Sequence, residues 1–230
     1  MSNTINNKND LEAIIYRYLR EITIANNSFA VYKVISEARE NLGDEISYAP
    51  AFFNITERSN QYTFVMITAK LFDSNKQSTG LNKLIAICEQ NKDVFPQEVS
   101  LYFIDADSGE GQEVSVSHEN TKHLDEAIEE QKNILASYEC KSQKLRDWRD
   151  NYFAHNDKKY FNNLNALAEK SPISDSEIED MLKCASDICN AFLGKLTGTN
   201  FDTHSPDSKD LINLLAAFRT SRRKQETTTP

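Results

Sequence analysis

Glycine and proline are scarce here, with six glycines and five prolines in 230 residues, and that scarcity argues against a β-sandwich or barrel built on many tight turns. The four cysteines, Cys88, Cys140, Cys184 and Cys189, form no Cys-x-x-Cys pair. They read as free thiols of a reducing compartment rather than as a disulfide framework or a zinc knuckle. No apolar run is long enough to cross a bilayer, and the opening Met1 to Lys8 is polar, without the apolar core of a secretion signal. A cytoplasmic protein with no membrane partner is the expectation. There is no Gly-rich phosphate loop and no Gly-x-Ser-x-Gly elbow. Positive charge is also short overall: the net charge of −9 argues against a protein that grips nucleic acid over a broad basic surface.

What is present is helical periodicity. Leu11, Ile14, Ile15, Tyr18, Leu19 and Ile22 recur at three and four residues, and the pattern runs through Phe29, Tyr32, Ile35, Ala38 and Leu42 to a stop at Gly43. Pro50 suits the first turn of a second helix carrying Phe52, Phe53, Ile55, Tyr62, Met66, Ala69, Leu71 and Phe72. Leu81, Leu84, Ile85 and Cys88 mark a third. Alternation at Val99, Leu101 and Phe103, and again at Val114 and Val116, fits either a small β-hairpin or an irregular excursion. Asn120 or Thr121 then caps a helix with Leu124, Ile128, Leu135, Tyr138 and Leu145 on one face. Tyr160, Phe161, Leu164 and Leu167 mark a short helical stretch before Pro172. Ser174 and Glu177 make a capping box ahead of the cleanest stripe, Ile178, Met181, Leu182, Ala185, Cys189, Phe192, Leu193 and Leu196. A last short helix is expected near Leu211 to Phe218. The fold class is therefore all-α, a bundle of five or six helices, with one domain over 1–200 and a short helix and disordered basic, polar tail over 201–230.

Chemistry concentrates between Lys144 and Tyr160. Within Lys141 to Lys159 the cations Lys141, Lys144, Arg146, Arg149, Lys158 and Lys159 stand against Asp147, Asp150 and Asp157. This island of positive charge in an acidic chain suits a site that grips a few phosphates, and equally an ordinary solvated helix end. Arg149 offers a permanently charged fork for a phosphate, and His155 takes or gives a proton near neutral pH. That pair is the minimum set for cleaving RNA without a metal. On a straight helix the two would lie about 120° apart and about 9 Å along the axis. Either the helix ends or bends between them, or another copy completes the site. Trp148 is assigned to packing, and Tyr152 and Phe153 to core or dimer contacts with base stacking as the alternative.

Arg149, the polar Asp150, the spacer Asn151 to Ala154 and then His155, late in an all-helical chain, resemble the signature of the HEPN superfamily. Phe52-Phe53, Ala69-Lys70-Leu71-Phe72-Asp73 and the Leu81 to Ile87 helix resemble its abortive-infection, AbiU-like branch. The likeness spans roughly Leu11 to Leu196. It implies a metal-independent endoribonuclease of toxin or phage-defence type that needs no cofactor, dimeric through its motif-bearing helices, with an antitoxin as a candidate partner. By that resemblance Arg149 and His155 are catalytic and Asp150 orients Arg149 or caps a helix. Arg146, Lys158 and Lys159 bind neighbouring phosphates of the RNA. A catalytically silent HEPN-like binding or assembly subunit is the alternative. The tyrosine that a partner nucleotidyltransferase modifies in some such toxins, two residues after the histidine, is replaced by Asp157, with Tyr160 the nearest later tyrosine.

The other candidates are plainer. His118 and His123, near Glu119, Asp125 and Glu126, match no familiar zinc spacing and read as a surface helix start. His204 sits in a polar loop. Asp175, Glu177, Glu179 and Asp180 load the first turns of a helix, where its dipole favours negative charge.

Overall fold

A computed structural model describes residues 5, 7–75, 77–104, 111–117, 121–150, 169–204 and 209–228. The fold is all-α. In chain order the helices are α1 (Lys8–Asn41), α2 (Gly43–Ile46), α3 (Pro50–Leu71), α4 (Leu81–Gln90), α5 (Thr121–Ser137), α6 (Glu139–Trp148), α7 (Asp175–Thr197) and α8 (Lys209–Thr228). Between α4 and α5 two strands, β1 (Glu98–Ile104) and β2 (Gly111–Ser117), pair antiparallel and set Val99 opposite Val116 and Leu101 opposite Val114. Among the described residues no helix is long and apolar enough to cross a membrane. The chain gathers into two compact units, one of residues 1–22 and 67–203, the other of 23–66 and 204–230.

The larger unit is centred on α7. Its stripe from Ile178 to Leu196 is buried, including Phe192 and Leu193 with no exposed surface, and α4 and α5 both pack on it. Both ends of α7 are closed by their own residues. The Ser174 hydroxyl accepts from the Glu177 amide at 3.2 Å, while a Glu177 carboxylate oxygen accepts from the Ser174 amide at 2.9 Å, so two orphan donors of the first turn are satisfied. At the far end Gly198 takes the left-handed conformation, φ 77°, that ends a helix without Cβ strain.

The loop from α3 to α4 is held as tightly. A Cβ on Gly80 would come within 2.8 Å of the carbonyl oxygens of Leu71 and Lys70, so only glycine lets the loop fold back over the end of α3. The Tyr18 hydroxyl of α1 donates to the Gly80 carbonyl at 3.3 Å, and burial raises its pKa to about 12.

The smaller unit buries Ile35, Ala38, Leu42, Ile46, Phe53 and Leu215 in one cluster. Phe64 packs edge-on to Phe29, ring centres 5.1 Å apart. The periodicity ends the last helix near Phe218, but α8 runs on to Thr228. Arg219, the first residue past that expected end, is held in place. It places two hydrogen bonds on the buried Glu45 carboxylate, at 2.7 and 2.8 Å, and a third on the Asn41 carbonyl at 2.9 Å, so the residue taken as the start of a tail is an anchor.

A second difference lies before the central stretch. One apolar face from Leu124 to Leu145 predicts a single helix, whereas the chain breaks at Tyr138 between α5 and α6. After the break the Tyr138 ring lies 5.7 Å from that of Phe72, and the Lys141 ammonium stands over it, 4.8 Å from its centre.

Glu177 also accepts from Lys144 of α6 at 2.7 Å. That bond first, and the Ser174 amide second, hold its carboxyl below the usual glutamate range. A lowered folded pKa stabilises the fold above the unfolded glutamate pKa and stops doing so as pH falls through the folded value. Glu177→Gln, which keeps a capping side chain but drops the charge, is expected to cost about 0.5–1 kcal/mol at neutral pH. Urea unfolding across an acidic series checks it: the gap between parent and variant should close as pH falls below the ordinary glutamate range.

Candidate functional site

Arg149 stands at the end of α6, where the helix widens into a π turn over Arg149 and Asp150. Such turns leave backbone groups loosely paired and often accompany functional sites. Both faces of α6 are tied down before the chain reaches it. On one side Lys141 pairs with Asp180 at 3.1 Å and Lys144 with Glu177. Trp148 Nε1 donates to the Ser171 carbonyl at 2.8 Å, and the Ser171 hydroxyl donates to Asp147 at 2.7 Å. On the other side the Ser142 hydroxyl donates to the Phe72 carbonyl at 3.1 Å, and Arg146 reaches the same oxygen at 3.4 Å. These donors satisfy a carbonyl left over where α3 ends, and the Arg146 charge suits the negative end of that helix.

The Arg149 guanidinium is about one-fifth exposed and meets two carboxylates. Nε donates to Asp150 Oδ1 at 2.7 Å, Nη2 to Asp150 Oδ2 at 3.3 Å, and Nη1 to Asp73 Oδ2 at 3.1 Å. Asp150 first, against the cost of burial, and then Asp73 push the Arg149 pKa above its ordinary value, so the guanidinium stays charged at every physiological pH. A guanidinium has five N–H donors. Three are engaged by these carboxylates, and among the described residues one on each Nη is left for a ligand. Each of these N–H groups can donate to a phosphate oxygen.

Asp73 is the residue whose role the sequence did not reveal. It stood only as the last residue of the Ala69 to Asp73 landmark, 76 positions from Arg149. Its two oxygens divide the work: Oδ1 accepts from the Asn75 amide at 3.0 Å, building a turn in the loop after α3, and Oδ2 takes Arg149. Beside it Lys70, Asp73, Asn75, Gln77, Ser78 and Thr79 line an open depression of about 360 Å³. Lys70 points to Glu21, 2.8 Å away.

The other expected site residues are placed unevenly. Asp150 does meet Arg149. Arg146 spends its guanidinium on Glu139, Gln143, Ser142 and the Phe72 carbonyl. His155, Lys158 and Lys159 lie outside the described residues, as do Tyr152, Phe153, Asp157, Tyr160 and the helical stretch expected up to Leu167, together with His118 and Glu119. His123 faces Glu126 at 3.7 Å, and Asp125 pairs with Lys92. No group of metal-holding side chains occurs among the described residues.

The family model described as AbiU2, a HEPN family, matches residues 8–214. The chain belongs to the AbiU2 family. The match covers α1 through the first turns of α8, and therefore Arg149, Asp150, His155 and Asp73 together. No curated protein and no solved structure matches the chain. As an AbiU2 member it is an abortive-infection HEPN-type chain, and its all-α fold agrees with a HEPN-like bundle.

The divided role of Asp73 makes a prediction. Asp73→Asn keeps an oxygen for the Asn75 amide and loses only the ion pair, an expected cost of about 1 kcal/mol, whereas Asp73→Ala loses both contacts and costs about 2 kcal/mol. A double-mutant cycle with Arg149→Ala, read by urea unfolding, should return a coupling energy for Asp73→Asn well outside error. Strict additivity would mean that the pair contributes nothing.

Proposed function

We propose that this AbiU2 protein is an endoribonuclease that cleaves RNA without a metal, acting in a toxin or phage-defence role. The observation that carries the reading is Arg149 itself: a fixed cation at a widened helix end, braced by two carboxylates, with two N–H groups left for phosphate oxygens among the described residues. In the sequence that arginine stands six positions before His155, in an Arg, polar residue, spacer, His order that resembles the HEPN signature.

In this reading the ribose 2′-hydroxyl attacks the adjacent phosphorus. His155 removes the hydroxyl proton or protonates the leaving 5′-oxygen, and Arg149 neutralises the charge that grows on the phosphoryl oxygens in the transition state. The products are a 2′,3′-cyclic phosphate and a 5′-hydroxyl. Asp150 and Asp73 are positioning residues that keep the guanidinium from wandering before substrate arrives. Lys158 and Lys159 contact neighbouring phosphates, and Arg146 stands one turn behind. A second copy meeting the first at the motif helices supplies the complementary half of the site, and an antitoxin restrains it in a cytoplasmic setting.

The second reading, a silent HEPN-like binding or assembly subunit, has its own support. Lys141, Lys144, Arg146 and Arg149 are all paired with carboxylates of this chain, in a molecule of net charge −9.

Purified protein incubated with total cellular RNA and with transfer RNA in excess EDTA separates the two. Cleavage by the parent that leaves cyclic phosphates, with Arg149→Ala and His155→Ala each slowed at least ~100-fold, is the expected result. A folded parent that binds RNA and leaves it intact selects the binding subunit.

A further inference from the structure

The depression beside Asp73 differs in chemistry from the cation next to it. Its volume of about 360 Å³ lies near the low end of small-molecule sites and gives room for one nucleobase. Two of its walls are charged, and both charges are already matched. Lys70 donates to both Glu21 oxygens at 2.8 Å, and Asp73 accepts from Arg149 at 3.1 Å. What the other lining residues offer is neutral. Gln77 keeps its whole carboxamide, Asn75 its Nδ2 and Thr79 its hydroxyl without a hydrogen bond among the described residues, and all three residues are exposed. Lys76 of the same loop lies outside the described residues.

The backbone that carries these groups is settled. The Asn75 amide donates to Asp73 Oδ1 at 3.0 Å and the Gln77 amide to Asn75 Oδ1 at 3.0 Å. The Ser78 amide donates to the Asn75 carbonyl at 2.8 Å, and the Gly80 amide to Ser78 Oγ at 3.1 Å. A ligand therefore has only side-chain rotamers to order, which keeps the entropic cost of binding small. A carboxamide presents a donor and an acceptor in one plane. That pattern matches the edge of a nucleobase, which also carries both, whereas a phosphate oxygen only accepts. RNA is read by its bases chiefly where they are unpaired and free to leave the strand. Asp73 joins the two chemistries, since the side chain that braces Arg149 is also part of the wall.

We propose that this depression is a base-reading subsite, which takes one unpaired nucleobase of an RNA whose phosphate sits on Arg149. Gln77 and the Asn75 Nδ2 hydrogen-bond the edge of that base, and Thr79 adds a third contact. The inference rests on the reading of Arg149 as the phosphate-binding cation and adds to it a sequence preference for single-stranded RNA.

Fluorescence anisotropy on the full chain tests it, with labelled 2′-O-methyl hexanucleotides of A, of C, of U and of alternating G and U. Gln77→Ala removes the carboxamide. Asn75→Asp removes the Nδ2 donor but keeps the oxygen that the Gln77 amide needs, and its added charge weakens all strands alike, so the ratio between strands is what is read. The parent is expected to bind its best strand at least ~5-fold more tightly than its worst, and the double variant, with unchanged circular dichroism, to bring that ratio within ~2-fold. Arg149→Ala should weaken all four to a similar degree. Equal binding of the four by the parent, or a preference that the double variant leaves in place, overturns the subsite and leaves Arg149 with its phosphate. A folded parent that binds no strand, or binding that Arg149→Ala leaves unaltered, overturns the reading of Arg149 and the subsite with it.

Discussion

Glu177 is the residue on which the placement of the site depends. One of its oxygens closes the first turn of α7, the best-buried helix in the larger unit, and the other takes the Lys144 ammonium and so fastens α6 to that helix. With α6 fixed, Trp148 and Asp147 are bound to Ser171, and Ser142 and Arg146 meet the carbonyl at the end of α3. Arg149 therefore emerges at a defined place, one residue past a helix held on both sides. A charged group that must stabilise a transition state is most effective when its orientation is settled beforehand, because no reorganisation is then spent at the moment of reaction.

The cations of α6 show how a local basic island sits in an acidic protein. From sequence alone they look like a surface for phosphates. In the fold Lys141 and Lys144 are consumed by Asp180 and Glu177 and join α6 to α7, while Arg146 pairs with Glu139 of its own helix and reaches the Phe72 carbonyl. Arg149 differs from them because its carboxylates leave two N–H groups over among the described residues. A run of like charges therefore says little about which member faces a ligand. That is decided by contacts with residues far along the chain, Asp73 for Arg149 and Phe72 for Arg146.

The parts of the structure that were readable follow from local chemistry. The capping box at Ser174, the apolar stripe of α7, the start of α3 at Pro50 and the stop before Gly43 are each written in a few neighbouring residues, and each is found. What was not readable depends on partners distant in sequence. The break at Tyr138 accompanies a contact with Phe72, α8 runs past a residue that meets Glu45, and Asp73 meets a residue 76 positions away. Between Val99 and Val116, alternation left a choice between hairpin and irregular chain, and the paired backbone of β1 and β2 takes the hairpin form. The pairing of Arg149 with Asp150 was legible because the two are adjacent, whereas nothing in the spacing alone separated a catalytic arginine from a structural one.

The central claim is that the guanidinium of Arg149 is where RNA phosphate binds. Its Nε–H resonance, followed by NMR while a transfer RNA carrying uncleavable 2′-O-methyl riboses is added, reads that contact without requiring turnover. A shift of the Arg149 signal that saturates together with RNA binding is the predicted result. RNA that binds while the Arg149 signal stays where it was would contradict it.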